Sequence, residues 1–201
     1  MTLFEQAVIF AAEKHAGMKR KLGDTPYILH PLEAALIVST LTDDEEVLAA
    51  AVLHDIVEDT DVTLEELAER FTPRVAALVA SETEDKLRGI PKSESWLIRK
   101  EASLAALRRA EDPAVLFIWL GDKLSNLRSF RWAKLKLGDG MWKLFNQKDP
   151  GMHARYYRSI LRALSGLRET GAWKEYRDLV EELFGAAQDE SPESPGPEDA
   201  L

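Results

Sequence analysis

Apolar residues recur at helical spacing through nearly the whole chain. Leu3, Ala7, Phe10 and Ala11 share one face of a segment running from Leu3 to His15, with charged residues opposite. Gly17 to Pro31, broken by Gly23, Asp24 and Pro26, reads as a loop. Helical spacing then predicts helices over His30–Leu41, Asp43–Val57, Thr63–Phe71 and Pro73–Glu84. Thr63 followed by Glu66 has the form of a capping box, and Pro73 suits a first helical turn. A loop at Lys86–Lys92 leads to a helix over Ser93–Ala110. Pro113 opens another, whose run from Ala114 to Leu120 is apolar all round, as in a central buried helix; its spacing continues to Phe130. Two more helices are expected at His153–Thr170 and Trp173–Phe184. No run alternates as a strand does, so the expected fold class is all-α, with about eight to ten helices.

Composition narrows this picture. A chain of 201 residues can bury roughly 70% of its unfolded surface, enough for one sizeable core. The absence of cysteine excludes a disulfide framework, a thiolate metal site and a cysteine nucleophile. It suits a reducing compartment, and the first residues lack a signal-peptide pattern, so a cytoplasmic location is expected. The apolar run at 114–120 is too short to cross a bilayer, so no membrane partner is expected.

The net charge of −9 argues against a nucleic-acid partner, because duplex binding rests on Lys and Arg. The surplus is uneven. Residues 186–201 hold five acids and no base, with three prolines and no aromatic, and read as a disordered acidic tail beyond a single domain over 1–185. Residues 1–185 are left at −4, with 26 basic and 30 acidic side chains.

That remainder equals the four carboxylates of the most informative stretches. In Leu53-His54-Asp55-Ile56-Val57-Glu58-Asp59-Thr60, His54, Asp55, Glu58 and Asp59 fall at about 0°, 100°, 40° and 140° around one helix end. Carboxylates so close repel unless a cation or protons relieve them, and at a helix C-terminus they also oppose the macrodipole. Asp122, Asn126 and Ser129 make a polar stripe on an otherwise apolar helix, where an isolated buried charge is expensive. His30, next to Pro31, stands at the mouth of a helix with its side chain placed for coordination. Each taken alone is commonly structural, as a solvated turn or a satisfied core histidine.

Together, His30, His54-Asp55 and Asp122 resemble the H…HD…D pattern of the HD-domain metal-dependent phosphohydrolases. Five ordered motifs are similar to the hydrolase domain of RelA/SpoT-type alarmone enzymes, and to its stand-alone small alarmone hydrolases of the metazoan SpoT homologue type. They are His15-x-Gly17-x-x-Arg20-Lys21, Pro26-Tyr27-Ile28-x-His30-Pro31, Leu53-His54-Asp55-x-x-Glu58-Asp59-Thr60, Thr83-Glu84-Asp85-Lys86 and Asp122-Lys123-Leu124-x-Asn126-Leu127-Arg128. The likeness runs from about residue 3 to 184.

The resemblance implies a helical bundle around one metal, usually Mn²⁺, on His30, His54, Asp55 and Asp122; the donor set also suits Fe²⁺ or Zn²⁺. Glu58 and Asp59 map to the family's acid pair, with Glu58 assigned as the base and Asp59 as the group that orients water or serves the leaving oxygen. Arg20 and Lys21 match a basic pair that contacts the nucleotide, and Asn126 an asparagine near the ribose. Tyr156 falls near a tyrosine used for the nucleotide, with core packing an equal reading; Lys92 falls beside the phosphate path or on the plain surface. His15 is expected to support the Arg20-Lys21 loop, and His153 to be incidental. Three positions depart from the family: Met18 for Gln, Gly121 for Ala, and Ser125 for His or Tyr. Met18 and Ser125 are expected to bear on nucleotide choice, and the weakly matching 131–152 to form a lid or rim.

The implied activity is removal of pyrophosphate from the 3′ position of ppGpp or pppGpp, leaving GDP or GTP. The alternatives are the same chemistry on another nucleotide, an adenine alarmone or the 2′-phosphate of NADPH, and a non-catalytic nucleotide sensor.

Overall fold

A computed structural model describes residues 1–84, 87 and 89–186, without the side chains of Lys92 and Ser93. Asp85 and Lys86 of the fourth motif, all but the first residue of the tail expected over 186–201, and the side chain of Lys92 therefore lie outside the described residues.

Helices follow one another in the order α1 Leu3–Lys14, α2 Leu29–Val38, α3 Glu45–Leu53, α4 Ile56–Asp59, α5 Leu64–Arg70, α6 Pro73–Glu82, α7 Lys92–Arg109, α8 Pro113–Leu137, α9 Pro150–Ala163 and α10 Gly171–Phe184. Among the described residues there is no strand, only one isolated bridge between Lys19 and Pro26, and no helix long and apolar enough to cross a membrane. The all-α expectation holds.

Local chemistry explains the boundaries. Thr2, Asp44, Thr63, Thr72, Asp112, Asp149 and Thr170 each accept a hydrogen bond from a first-turn N–H of the helix that follows. Prolines at positions 73, 113 and 150 sit in first turns, where a missing N–H costs nothing.

One core contains buried apolar side chains from Ala7 to Leu183. At its centre runs α8, 25 residues long, with Ile118, Trp119, Leu120, Leu124 and Leu127 all essentially inaccessible. Helix α2 lies against α8 at Gly121. A Cβ at that glycine would stand 2.8 Å from the Ala34 carbonyl oxygen and 2.7 Å from Val38 Cγ2, so the absent side chain sets how closely the two helices approach.

The sequence reading of one helix over Asp43–Val57 needs correction. Helix α3 ends at Leu53, Asp55 departs from helical geometry at φ −92°, ψ −5°, and the short α4 begins at Ile56. Helix spacing alone cannot register this break, because every residue through it is compatible with helix. Its consequence is that His54 and Asp55 occupy a corner rather than a continuous helical face.

Residues 131–152, expected as a lid or rim, are packed against the core, and Phe145 among them lines the pocket described below. The end of α8 leads into a 3₁₀ helix over Gly138–Leu144 whose Met141 and Trp142 are buried. Trp142, Phe145 and His153 then pack around Phe130, with ring centroids 5.0–6.0 Å from it.

Candidate active site

The loop between α1 and α2 is folded back on itself. Arg20 N–H donates to Thr25 O at 2.9 Å and Tyr27 N–H to Met18 O at 2.9 Å, and Gly17 supplies the left-handed turn at φ +78°. This brings the Arg20 guanidinium over the Tyr27 ring, 5.6 Å from its centroid. The Tyr27 hydroxyl donates to Asp55 Oδ2 at 2.5 Å, tying the loop to the α3–α4 corner. His15, expected to support this loop, accepts the Met18 N–H at its carbonyl and packs its buried ring 4.9 Å from Tyr27.

Four of the predicted residues meet below that loop. His30, His54 and Asp122 are buried and offer ligand atoms that all lie within 4.8 Å of one another. Asp55 joins them, its Oδ2 standing 3.4 Å from His30 Nε2 and 3.2 Å from His54 Nε2. Asp122 Oδ1 lies 3.1 Å and 3.6 Å from the same two nitrogens.

Hydrogen bonds behind the rings decide which imidazole nitrogen faces inward. His54 Nδ1 lies 2.8 Å from the Ala51 carbonyl, which only accepts, so Nδ1 carries a proton. His30 Nδ1 lies 2.8 Å from Ser125 Oγ, whose hydroxyl hydrogen is donated to Glu33 Oε2 at 2.6 Å, so this Nδ1 is also the donor. Both Nε2 atoms therefore present themselves to the carboxylates. The His54 Nε2 is fully buried and makes no hydrogen bond.

Two imidazole Nε2 atoms and two buried carboxylates around one point fit a divalent cation, and they fit little else at low cost. The electrostatics agree. Burial disfavours ionised Asp55 and Asp122, yet the two histidines, together with Lys123 beside Asp122, hold both carboxyls well below the ordinary range. Burial likewise opposes a charged His54, and the facing carboxylates overcome it and hold that imidazole well above its usual value. The cluster demands positive charge at its centre.

A pocket of about 460 Å³ opens over this cluster. Glu58 and Asp59 line it from α4, as predicted. Glu58 is half-buried, accepts the Glu84 N–H on Oε1 at 2.8 Å, and has its carboxyl pushed up by burial. Asp59 is exposed at the rim. Arg20 Nη2 donates to Asn126 Oδ1 at 2.9 Å and lies 3.4 Å from Ser129 Oγ, and Asn126 Nδ2 donates to Asp122 Oδ1 at 2.6 Å. The polar stripe read on α8 thus connects the basic loop to the buried cluster. Lys21 and Met18 lie on the rim. Tyr156 is buried in the wall of the pocket. Its ring packs against Trp96 and Tyr157, and its buried hydroxyl has no hydrogen-bond partner.

Two expectations change. Ser125 does not reach the nucleotide-sized space; it is fully buried behind His30. His153 is not incidental; it forms part of the pocket wall with Phe130 and Phe145, its Nε2 2.9 Å from the Gln147 carbonyl.

Sequence reasoning missed Glu82 and gave Lys123 no role. Glu82, at the end of α6, is buried with Lys123 Nζ 3.5 Å away, and Lys123 also pairs with Asp122 and sits over the Trp119 ring. Glu82 ends an amphipathic helix, where a glutamate reads as solvated. Only the packing of α6 near α8 turns it inward.

Burial pushes the Glu82 carboxyl up to about 8, with Lys123 opposing and Asp122 reinforcing the shift. Its folded-state pKa exceeds its unfolded one, so this group stabilises the fold fully below about pH 4.5 and ceases to do so as pH rises through 8. The metal-free protein is expected to melt at a lower temperature at pH 8 than at pH 5.5. Glu58 and His54, also raised, contribute the same sign, while His15 and His153, lowered by burial, oppose it below about pH 6.5. Glu82→Gln is expected to flatten the slope, which thermal melts across that range measure.

The HD-domain family profile matches residues 7–138, spanning α1 to the end of α8. The chain belongs to the HD-domain family. The HD-domain chain is 46% identical over 136 residues to the guanosine-3′,5′-bis(diphosphate) 3′-pyrophosphohydrolase of Aquifex aeolicus, a match covering 66% of this chain and 19% of that protein. It is 33% identical over 188 residues to a probable GTP pyrophosphokinase of Mycobacterium leprae, covering 83% of this chain and 23% of the relative. The HD-domain chain thus spans about a fifth of the length of these curated relatives.

Solved structures extend the likeness beyond residue 138. A metazoan ortholog of SpoT that hydrolyses ppGpp superposes with a TM-score of 0.72 at 27% identity, over 92% of this HD-domain chain and 97% of its own. A Listeria monocytogenes protein gives 0.68 at 30% identity, over 78% and 99%.

Proposed function

We propose that this protein is a metal-dependent phosphohydrolase that removes the 3′-pyrophosphate of ppGpp and pppGpp, yielding GDP or GTP. The observation that carries the reading is the pair of inward-facing Nε2 atoms opposed to Asp55 and Asp122, beneath a pocket lined by Glu58, Asp59 and Arg20. The relatives support the substrate: one is named for this reaction, and another is described as hydrolysing ppGpp.

His30, His54, Asp55 and Asp122 would hold the cation, and we propose Mn²⁺, which accepts mixed nitrogen and oxygen donors. When bound, the ion supplies Lewis-acid stabilisation of phosphoryl charge and acidifies water. The protein's own groups do the rest. Glu58 takes a proton from the attacking water, for which a carboxyl raised by burial is better suited than a solvent-exposed one. The water oxygen bonds to the phosphorus at the 3′ oxygen, the bond to that oxygen breaks, and pyrophosphate leaves while the ribose oxygen gains a proton. Asp59, at the rim, orients the water or serves that leaving oxygen. Arg20, held by Asn126, and Lys21 bind the anionic nucleotide, and Tyr156 contributes to its pocket.

Glu58→Gln is expected to lower kcat by roughly 10²- to 10⁴-fold with little change in KM, and Asp59→Asn to cost less. Steady-state release of pyrophosphate from ppGpp with Mn²⁺ measures both. The same assay tests the whole reading. Wild-type protein should release pyrophosphate from ppGpp and lose that activity on chelation. Release from an adenine alarmone, or of phosphate from NADPH, but not from ppGpp would move the substrate elsewhere. Tight ppGpp binding without turnover would make the protein a sensor.

A further inference from the structure

The hydroxyl behind His30 belongs to a longer chain of hydrogen bonds whose direction is set from outside. On α10, Glu175 accepts both Nε and Nη2 of Arg128, each at 2.7 Å, in the two-pronged geometry that fixes a guanidinium. The remaining arm of Arg128, Nη1, donates to Glu33 Oε1 at 3.1 Å. Glu33 Oε2 then receives Ser125 Oγ at 2.6 Å, and Ser125 Oγ faces His30 Nδ1 at 2.8 Å. A carboxylate held by arginine has no hydrogen to give. Ser125 must therefore donate to Glu33, and its lone pairs can only accept from His30.

This matters because the other side of His30 pulls the opposite way. Its Nε2 stands 3.1 Å from Asp122 Oδ1 and 3.4 Å from Asp55 Oδ2, two acceptors that would draw a proton onto Nε2. A proton there would block the lone pair that a cation needs. His54 solves the same problem with a carbonyl of its own helix, Ala51, which requires no tertiary contact. For His30 the solution spans α2, α8 and α10, and α10 lies beyond the residues matched by the HD-domain profile.

We infer that Ser125 and Glu33 are positioning residues that keep His30 in its cation-binding tautomer, and that they govern metal affinity rather than nucleotide choice. The inference rests on the metal site proposed above. Glu175 and Arg128 set the polarity of the chain from the C-terminal helix. Glu33→Gln provides a sharp consequence. Its amide oxygen must turn toward Arg128, so its NH₂ turns toward Ser125 and donates to it. The Ser125 hydrogen is then sent to His30 Nδ1, and the proton of the ring moves to Nε2. A change of one atom type thereby reverses the relay.

The test uses the full chain, stripped of metal and titrated with Mn²⁺ by calorimetry, beside metal-free thermal melts and ppGpp kinetics at saturating Mn²⁺. Ser125→Ala is expected to weaken Mn²⁺ binding by roughly 10- to 100-fold, and Glu33→Gln by at least as much. Metal-free melting temperatures and the KM for ppGpp should stay near wild type. Unchanged Mn²⁺ affinity in both variants would overturn the inference, as would a raised KM with intact metal binding, which returns Ser125 to the nucleotide. Should Ser125→Ala fold poorly, Glu33→Gln decides alone. A wild-type protein that binds no Mn²⁺ and releases no pyrophosphate would instead remove the function proposed above.

Discussion

Asp122→Asn is expected to abolish divalent-cation binding and to lower turnover by on the order of a thousandfold or more. Changes behind a metal ligand cost roughly 10- to 100-fold in affinity or activity, and loss of a ligand's charge costs more. Asp122 is 4% exposed and does three things at once. Its Oδ1 faces both Nε2 atoms and accepts from Asn126, and its Oδ2 neutralises Lys123. An asparagine keeps the size and removes the charge. Its NH₂ would either face Lys123, which has no lone pair to accept it, or occupy the imidazole Nε2 lone pairs that a cation needs. Metal content after reconstitution and the rate of pyrophosphate release measure the two effects. Glu69→Gln, at an exposed position of α5 outside the pocket lining, should leave both unchanged. An Asp122→Asn protein that retains stoichiometric metal would refute the proposed ligand set.

Gly121→Ala should have the largest effect on stability. The added Cβ would stand 2.8 Å from the Ala34 carbonyl oxygen, a backbone atom that cannot rotate away, and 2.7 Å from Val38 Cγ2. Overpacking of this kind costs about 1–3 kcal/mol, and the better helix propensity of alanine returns at most about 1 kcal/mol. At roughly 2–4 °C per kcal/mol for a chain of this size, a fall of several degrees in melting temperature is expected. The site would feel it too. Relief of the clash moves α2 away from α8, and with it His30 from Asp122, so Mn²⁺ affinity should fall together with stability. Alanine is common at this place in the family the sequence resembles. A melting temperature unaltered in Gly121→Ala would show that the two helices separate freely.

The site was legible in the sequence to the extent that its members announce themselves by residue type. His30, His54, Asp55, Asp122, Glu58 and Asp59 stand in short motifs whose chemistry is costly without a cation, and all six line or floor one pocket. Asn126 and Ser129 were visible as a stripe one and two helical turns from Asp122, because neighbours at i+4 and i+7 are dictated by the helix itself. Glu82, Lys123 and His153 were not visible as pocket residues. A glutamate at a helix end, a lysine after an aspartate and a histidine in a polar segment carry no signal until other helices close over them. Ser125 misled for the same reason: its position on α8 was known, but not whether that face met the nucleotide or the back of His30.

Sequence alone determined the helices, their caps at threonine, aspartate and proline, and the residue types able to bind a cation, since these follow from periodicity and local hydrogen bonding within a few residues. Tertiary structure decided the break at Asp55, the inward turn of Glu82 and the proton on His30 Nδ1. Those depend on contacts between residues far apart in the chain, such as Tyr27 with Asp55 and Ser125 with Glu33. Such contacts exist only once α2 has packed onto α8, at a distance that a glycine without a side chain permits.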